Sequence, residues 1–229
     1  MDFSISNLLV IHVAGVEIWI TETIVNTWII MLLLIAAAIV VRIKLRKFRE
    51  VPTGFQNAVE AIVETFDKFV KNTAGDKLQF LGSWFFMVFA FVLVSNVSGI
   101  LGLRPPTADW ATALALAMAT FMLIHIVGVM HRKGRYLKSF IEPNIIFLPL
   151  NIIGELARPV SLSFRLFGNV LAGVILMSMV YKLLPVYLRV ALPTVLHAYF
   201  DLISGVLQTY IFCVLSLSFI HAASSAEAP

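Results

Sequence analysis

Along the chain, long apolar runs alternate with short polar or basic blocks, and the periodicity of the apolar positions predicts helices almost throughout. Ile24 to Val41, IVNTWIIMLLLIAAAIVV, is apolar for about eighteen residues, enough to span a bilayer with little tilt. Residues 54–72 follow a Pro52 and Gly54 break. Here Phe55, Ala58, Ile62, Phe66, Phe69 and Val70 fall at helical spacing while Glu60, Glu64, Asp67 and Lys71 occupy the other face. That pattern predicts an amphipathic helix lying on the membrane surface. Residues 80–130 read as a helical hairpin: a span from Phe80 to Leu103, a turn RPPTAD whose prolines stop the helix, and a return from Trp110 to Met130. The small residues of ATALALAMAT in the return span allow close backbone approach.

The last third, residues 142–221, differs. Ile145 to Val180 reads as one helix of about 36 residues, roughly 54 Å at 1.5 Å per residue, against a hydrocarbon core of about 30 Å. Such a helix must lie obliquely or break, and Pro149 and Pro159 offer a start and a bend. Leu188 to Ile220 is also long. The link Lys182 to Arg189 makes the two a long tilted hairpin. The expectation is one all-α membrane domain over residues 1–229, with about five crossings and a surface amphipathic helix. No internal repeat is found, and the end of the chain, AASSAEAP, is expected to be a short disordered tail.

Composition agrees with this pattern. With 60% hydrophobic and 13% charged residues and a mean hydropathy of +0.93, the chain has too little polar surface to cover a soluble globule. The net charge of +4 does not point to nucleic acid, because no recognition motif is present and the cations sit in blocks beside apolar runs. Five cations lie between Arg42 and Arg49, and HRKGRYLK follows Met130. Both blocks predict the same orientation, with the N-terminus outside and the C-terminus cytoplasmic. Asp2 stands where a signal peptide would carry basic residues, so no removable targeting segment is expected. Cys213, the lone cysteine, reads as an inert core residue, and no firm metal site or cofactor is expected.

Candidate chemistry lies in the last hairpin. On its first helix Arg158, Ser161, Arg165, Asn169 and Ala172 follow spacings of three and four, as do His197, Asp201, Ser204 and Gln208 on the second. Two facing polar stripes would form one internal track. Ser161 and Ser163 fit hydrogen bonding across the hairpin. Arg165 does not, because arginine stays charged and at bilayer depth costs about 2.5–3.5 kcal/mol or more unless it faces protein or water. Asp201 is titratable and could take up and release protons; His197, four residues earlier, either shares that proton or simply packs. His12, His125, His131 and His221 are expected near the membrane boundaries. A fixed cation beside a titratable carboxylate suits a device that moves a cation through half-channels. No nucleotide-binding loop, nucleophile elbow or HExxH is present.

At RPVSLSFRLFGNVLAG, joined to LQTYIF on the next helix, the chain resembles subunit a of the bacterial F-type ATP synthases. The family motif SLRLFGN is matched by Ser163, Arg165, Leu166, Phe167, Gly168 and Asn169, with Phe164 as an apolar change. PTGFQN and PTAD extend the resemblance along the chain. It implies a stator subunit in the bacterial plasma (inner) membrane that supplies two half-channels for H+ or Na+. Arg165 would face the carboxylates of a rotating ring of c subunits and prevent leak, with Gln208 near it. Asp201 would lie in the ion-access channel, with Asn169, Ser204, His197 and Glu155 along the path and Arg158 and Ser161 in secondary roles. Val174 stands where many relatives carry glutamate. Peripheral-stalk b subunits, the catalytic head indirectly, and lipid are the other implied partners. A self-contained channel or secondary transporter predicts repeated halves, which are absent. A mere membrane anchor predicts that Arg165 is dispensable.

Overall fold

The computed structural model describes residues 7–13, 16–45, 48, 54–142, 144–185 and 191–225. Parts of the first basic block (Arg46, Lys47, Arg49), of the link to the last helix (186–190) and of the C-terminal tail (226–229) lie outside the described residues.

The chain opens with an antiparallel hairpin, β1 (Asn7–Val13) and β2 (Val16–Thr21), an element the hydropathy pattern did not announce. β-branched and aromatic residues in "VEIWIT" favour the extended chain over so short a run. From Glu22 onward the fold is helical, in the order α1 (Glu22–Leu45), α2 (Phe55–Ala74), α3 (Gly82–Val97), α4 (Trp110–Arg132), α5 (Gly134–Ser139), α6 (Leu148–Leu183), α7 (Ala191–His197) and α8 (Gly205–Ser224). A 3₁₀ turn, Asp76–Leu81, leads into α3, and another, Ser98–Leu101, follows it. Among the described residues five stretches are long and apolar enough to cross a membrane: Glu22–Leu45, Asp76–Leu101, Trp110–Arg132, Ile145–Leu183 and Leu192–Ser224. The protein is an all-α, multi-pass membrane protein.

α4 is the central helix. Its buried residues Ala113, Ala117, Thr120, Ile124 and Val127 recur at four and three, giving one stripe that packs against both α6 and α8. Small residues on that stripe let the backbones approach, as ATALALAMAT suggested. α8 supplies the other half of the core with Phe212, Cys213, Leu217 and Ile220, all essentially inaccessible. α1 stands apart and is mostly lipid-facing, with Leu32, Leu33, Ile35 and Ile39 exposed. Two polar contacts tie its start to the turn before α4: Thr23 Oγ1 donates to Asp109 Oδ2 (3.2 Å) and Asn26 Nδ2 to the Arg104 carbonyl (3.0 Å). Asp109 also caps α4 by accepting from the Ala111 amide at 3.1 Å.

The amphipathic helix α2 is divided in its packing. Phe66, Phe69, Val70 and Ala74 join the core against α3 and α8, whereas Phe55, Ile62 and Val63 remain exposed. On its polar face the Lys68 ammonium, 2.7 Å from Glu64, holds that carboxyl below the usual range. α6 runs unbroken for 36 residues. Pro159 sits inside it and lacks the amide that would bond the Glu155 carbonyl, a local weak point rather than a break.

Candidate functional site

α6 carries two polar clusters on either side of Arg165, and the arginine belongs to neither. Toward the end of the bundle formed by the Ser98–Leu101 turn lies the first. Asp201 Oδ2 accepts from His197 Nδ1 at 2.6 Å, and the opposite ring nitrogen lies 3.2 Å from the Tyr181 hydroxyl. Ser204 Oγ donates to Asn169 Oδ1 across the hairpin at 3.1 Å. His197 therefore shares a hydrogen bond with the carboxylate instead of merely packing.

Asp201 is seated by backbone geometry. Residues Ala198–Ser204 form a π-helical segment between α7 and α8, a wide turn found frequently at functional sites. The carboxylate rests against Gly99, where a Cβ would lie 3.0 Å from Asp201 Cγ, so only glycine leaves room for it. Behind it, Asn96 Nδ2 donates to the Gly205 carbonyl (3.1 Å) and to Thr209 Oγ1 (3.3 Å), while Thr107 Oγ1 donates to Asn96 Oδ1 (2.9 Å). Asn96, Asn169, Val174, Phe200 and Asp201 line a cavity of about 20 Å³, room for about one water molecule.

At the opposite end Glu155 Oε2 accepts from Arg158 Nη1 at 2.8 Å. The pair lines a cleft of about 420 Å³ together with Tyr136, Asn151 and Arg132. The Arg158 guanidinium lies over the Phe219 ring at 5.3 Å. Tyr136 fills the space left by Gly128, and its hydroxyl meets His125 Nδ1 at 2.6 Å. Burial, with the nearby Glu155 charge adding to it, pushes the Tyr136 phenol up to about 12. The phenol therefore keeps its proton and shares a hydrogen bond with His125.

Arg165 is exposed and has no hydrogen-bond or ion-pair partner among the described residues. Ser161 is exposed as well, and Ser163 donates to its own helix at the Val160 carbonyl (2.9 Å), so neither bonds across the hairpin as expected. Gly154, Ser161, Gly168 and Ala172 make the same outer face small, with open space beyond both glycines.

The continuous track anticipated from spacing is thus two separate sites with a free cation between them. At about 100° per residue the polar positions of α6 drift, so Asn169 and Glu155 turn inward while Ser161 and Arg165 turn outward. On the other helix the π segment breaks the 3.6-residue count, and Gln208 lies buried on the far side of it. Its Nε2 has no partner among the described residues. Asn96, Thr107, Thr209, Gly99, Tyr181 and Tyr136 were missed by spacing arguments. Of these, Asn96 had a signal, being a polar interruption in an apolar span.

The sequence model of the ATP synthase A chain family matches residues 24–221. This chain belongs to that family. It is 36% identical over 225 residues to ATP synthase subunit a 2 of a Bradyrhizobium species, covering 96% of this chain and 95% of the relative. To ATP synthase subunit a of Moorella thermoacetica it is 33% identical over 217 residues, covering 91% and 96%. A protein of Propionigenium modestum named ATP synthase subunit a, sodium ion specific, is 33% identical over 227 residues, covering 88% and 73%. Membership makes the chain a membrane-sector subunit of a rotary ATP synthase, concerned with ion passage and not with nucleotide chemistry.

Proposed function

We propose that this chain is the stator half of the ion path in a bacterial plasma membrane, working against a rotating ring of c subunits. The observation that carries the proposal is Arg165: a permanent charge in the middle of a spanning helix, on an exposed face of small residues, with no partner among the described residues. Facing lipid there would cost about 2.5–3.5 kcal/mol or more, whereas facing ring carboxylates it is paired with each in turn. Basic residues at the ends of α1 and α4 support an outside N-terminus and a cytoplasmic C-terminus.

In this arrangement the Asp201 cluster is the outer half-path and the Glu155–Arg158 cleft the inner one. A cation, H+ or Na+, enters by Asp201, His197, Asn169 and Ser204, neutralises a ring carboxylate, and rides round through lipid. It leaves by the cleft when Arg165 favours the ionised ring site, and Gln208 backs the arginine. The hydrogen-bonded Asp201–His197 pair supports the proton as cargo, since a carboxylate and an imidazole in contact can pass a proton between them. The membrane potential contributes about 2.3 kcal/mol per elementary charge per 100 mV. Peripheral-stalk b subunits would fix the chain and couple it to the catalytic head.

The test is ion-driven ATP synthesis by the reconstituted complex carrying Arg165→Ala. The expected result is complete loss of coupled synthesis with the complex still assembled. Full synthesis in that variant would reduce the chain to a membrane anchor.

A further inference from the structure

At the end of the bundle where α2, α4 and α8 finish, a cleft of about 970 Å³ opens to solvent, away from Arg165 and Asp201. Lys77 stands on one wall and Arg132, Lys133 and Arg135 on the other, with His131 and His221 also in the lining. None of the four permanent cations has an ion-pair partner among the described residues. The lining carboxylate, Asp76, is already engaged by Lys71 at 2.9 Å. The two imidazoles are anchored through Nδ1 to backbone carbonyls, His131 to Val127 (3.1 Å) and His221 to Ala74 (2.8 Å).

Lys133 is held in an unusual way. Its φ of 50° and ψ of −130° make it the one non-glycine with positive φ among the described residues, although Gly134, better suited to that conformation, is next in sequence. Keeping a lysine there argues that its side chain is used at that place. On the lipid side of the cleft the surface turns apolar at once. Met122, Ile126 and Met130 form an exposed stripe on α4 that ends at His131, and Phe80, one 3₁₀ turn after Lys77, is exposed too.

We propose that this cleft binds the headgroup of an anionic phospholipid, with its acyl chains along the Met122–Ile126–Met130 stripe. A free phosphate needs no apolar strip, and 970 Å³ with four unpaired cations suits a headgroup with two phosphodiesters, as in cardiolipin. The cleft adjoins the Glu155–Arg158 cleft and shares Arg132 with it, but the variants tested, Lys77 and Arg135, line this cleft and not that one, so the test does not depend on the ion-path reading.

The full chain, purified and delipidated in detergent, is titrated with cardiolipin or phosphatidylcholine and read by native mass spectrometry. Wild type retains cardiolipin in preference to phosphatidylcholine. Lys77→Gln and Arg135→Gln each weaken cardiolipin binding about fivefold, and the double variant loses the preference. Lys138→Gln, which removes a cation outside the cleft already paired with Glu142 at 3.8 Å, changes nothing. Asp76→Asn strengthens binding, a gain that misfolding cannot mimic. Equal losses in Lys138→Gln and Lys77→Gln, or no preference in wild type, would overturn the proposal. So would inorganic pyrophosphate binding to the lipid-free chain with the same dependence on Lys77 and Arg135, which would assign the cleft to soluble polyphosphate.

Discussion

The two polar clusters flanking Arg165 both draw on α6 yet are built on opposite principles. Around Asp201 the protein removes space: the room left by Gly99 and Gly205 is filled by the Asp201 and Asn96 side chains, and a cavity of about 20 Å³ remains. Around Glu155 it leaves space, a cleft of about 420 Å³ with a half-exposed arginine already paired to the acid. A tight site can control which groups exchange a proton with a carboxylate, because few partners reach it. A wide site controls little and conducts well. The comparison predicts that chemistry depends steeply on the first cluster and weakly on the second.

Asp201→Asn should break that comparison most visibly. It keeps the shape and removes the titrating group, and ion-driven ATP synthesis in the reconstituted complex should fall about a hundredfold. A loss no larger than that of Glu155→Gln would refute the asymmetry. Next comes Gly99→Ala, whose Cβ would lie 3.0 Å from the Asp201 carboxylate. Displacing it should cost about 1–3 kcal/mol, seen as a lower Tm of the purified chain in detergent. Glu155→Gln should lose about 0.2–1 kcal/mol, because its partner is partly solvated, and slow synthesis only a few-fold. The smallest effect concerns Tyr136. One of five tyrosines should titrate near pH 12 in the absorbance of the phenolate, and Tyr136→Phe should remove that late step. Since the unfolded phenol ionises near pH 10, the folded chain binds the extra proton between about pH 10 and 12 and loses stability as pH rises through that window.

Much of this molecule was legible from residue order. Length and hydropathy predicted the five crossings, and helical spacing predicted α2, whose Val70 is fully buried. Arg165 announced itself by being charged in an apolar run. What could not be read was geometry that depends on distant parts of the chain. Asn96 and Gly99 lie about a hundred residues before Asp201, and nothing local links them. The N-terminal hairpin was hidden because its strands run apolar through consecutive positions, Leu8–Ile11 and Ile18–Ile20, and show no clean alternation. The single polar track failed because it assumed a uniform 3.6-residue helix through Ala198–Ser204.

That π-helical turn also bears on how the protein can change over time. A π segment behaves as one residue too many in a helix, so a deletion within 198–204 would restore ordinary winding, leave the flanking turns nearly in register and remove the widened turn that seats Asp201. The Asp201 carboxylate would then leave the place where Gly99 makes room for it and His197 bonds it. Point substitutions here can be sampled one at a time, but a change in residue count cannot. Related chains should therefore vary freely in which polar side chain fills the site and hardly at all in the length of the segment that holds it.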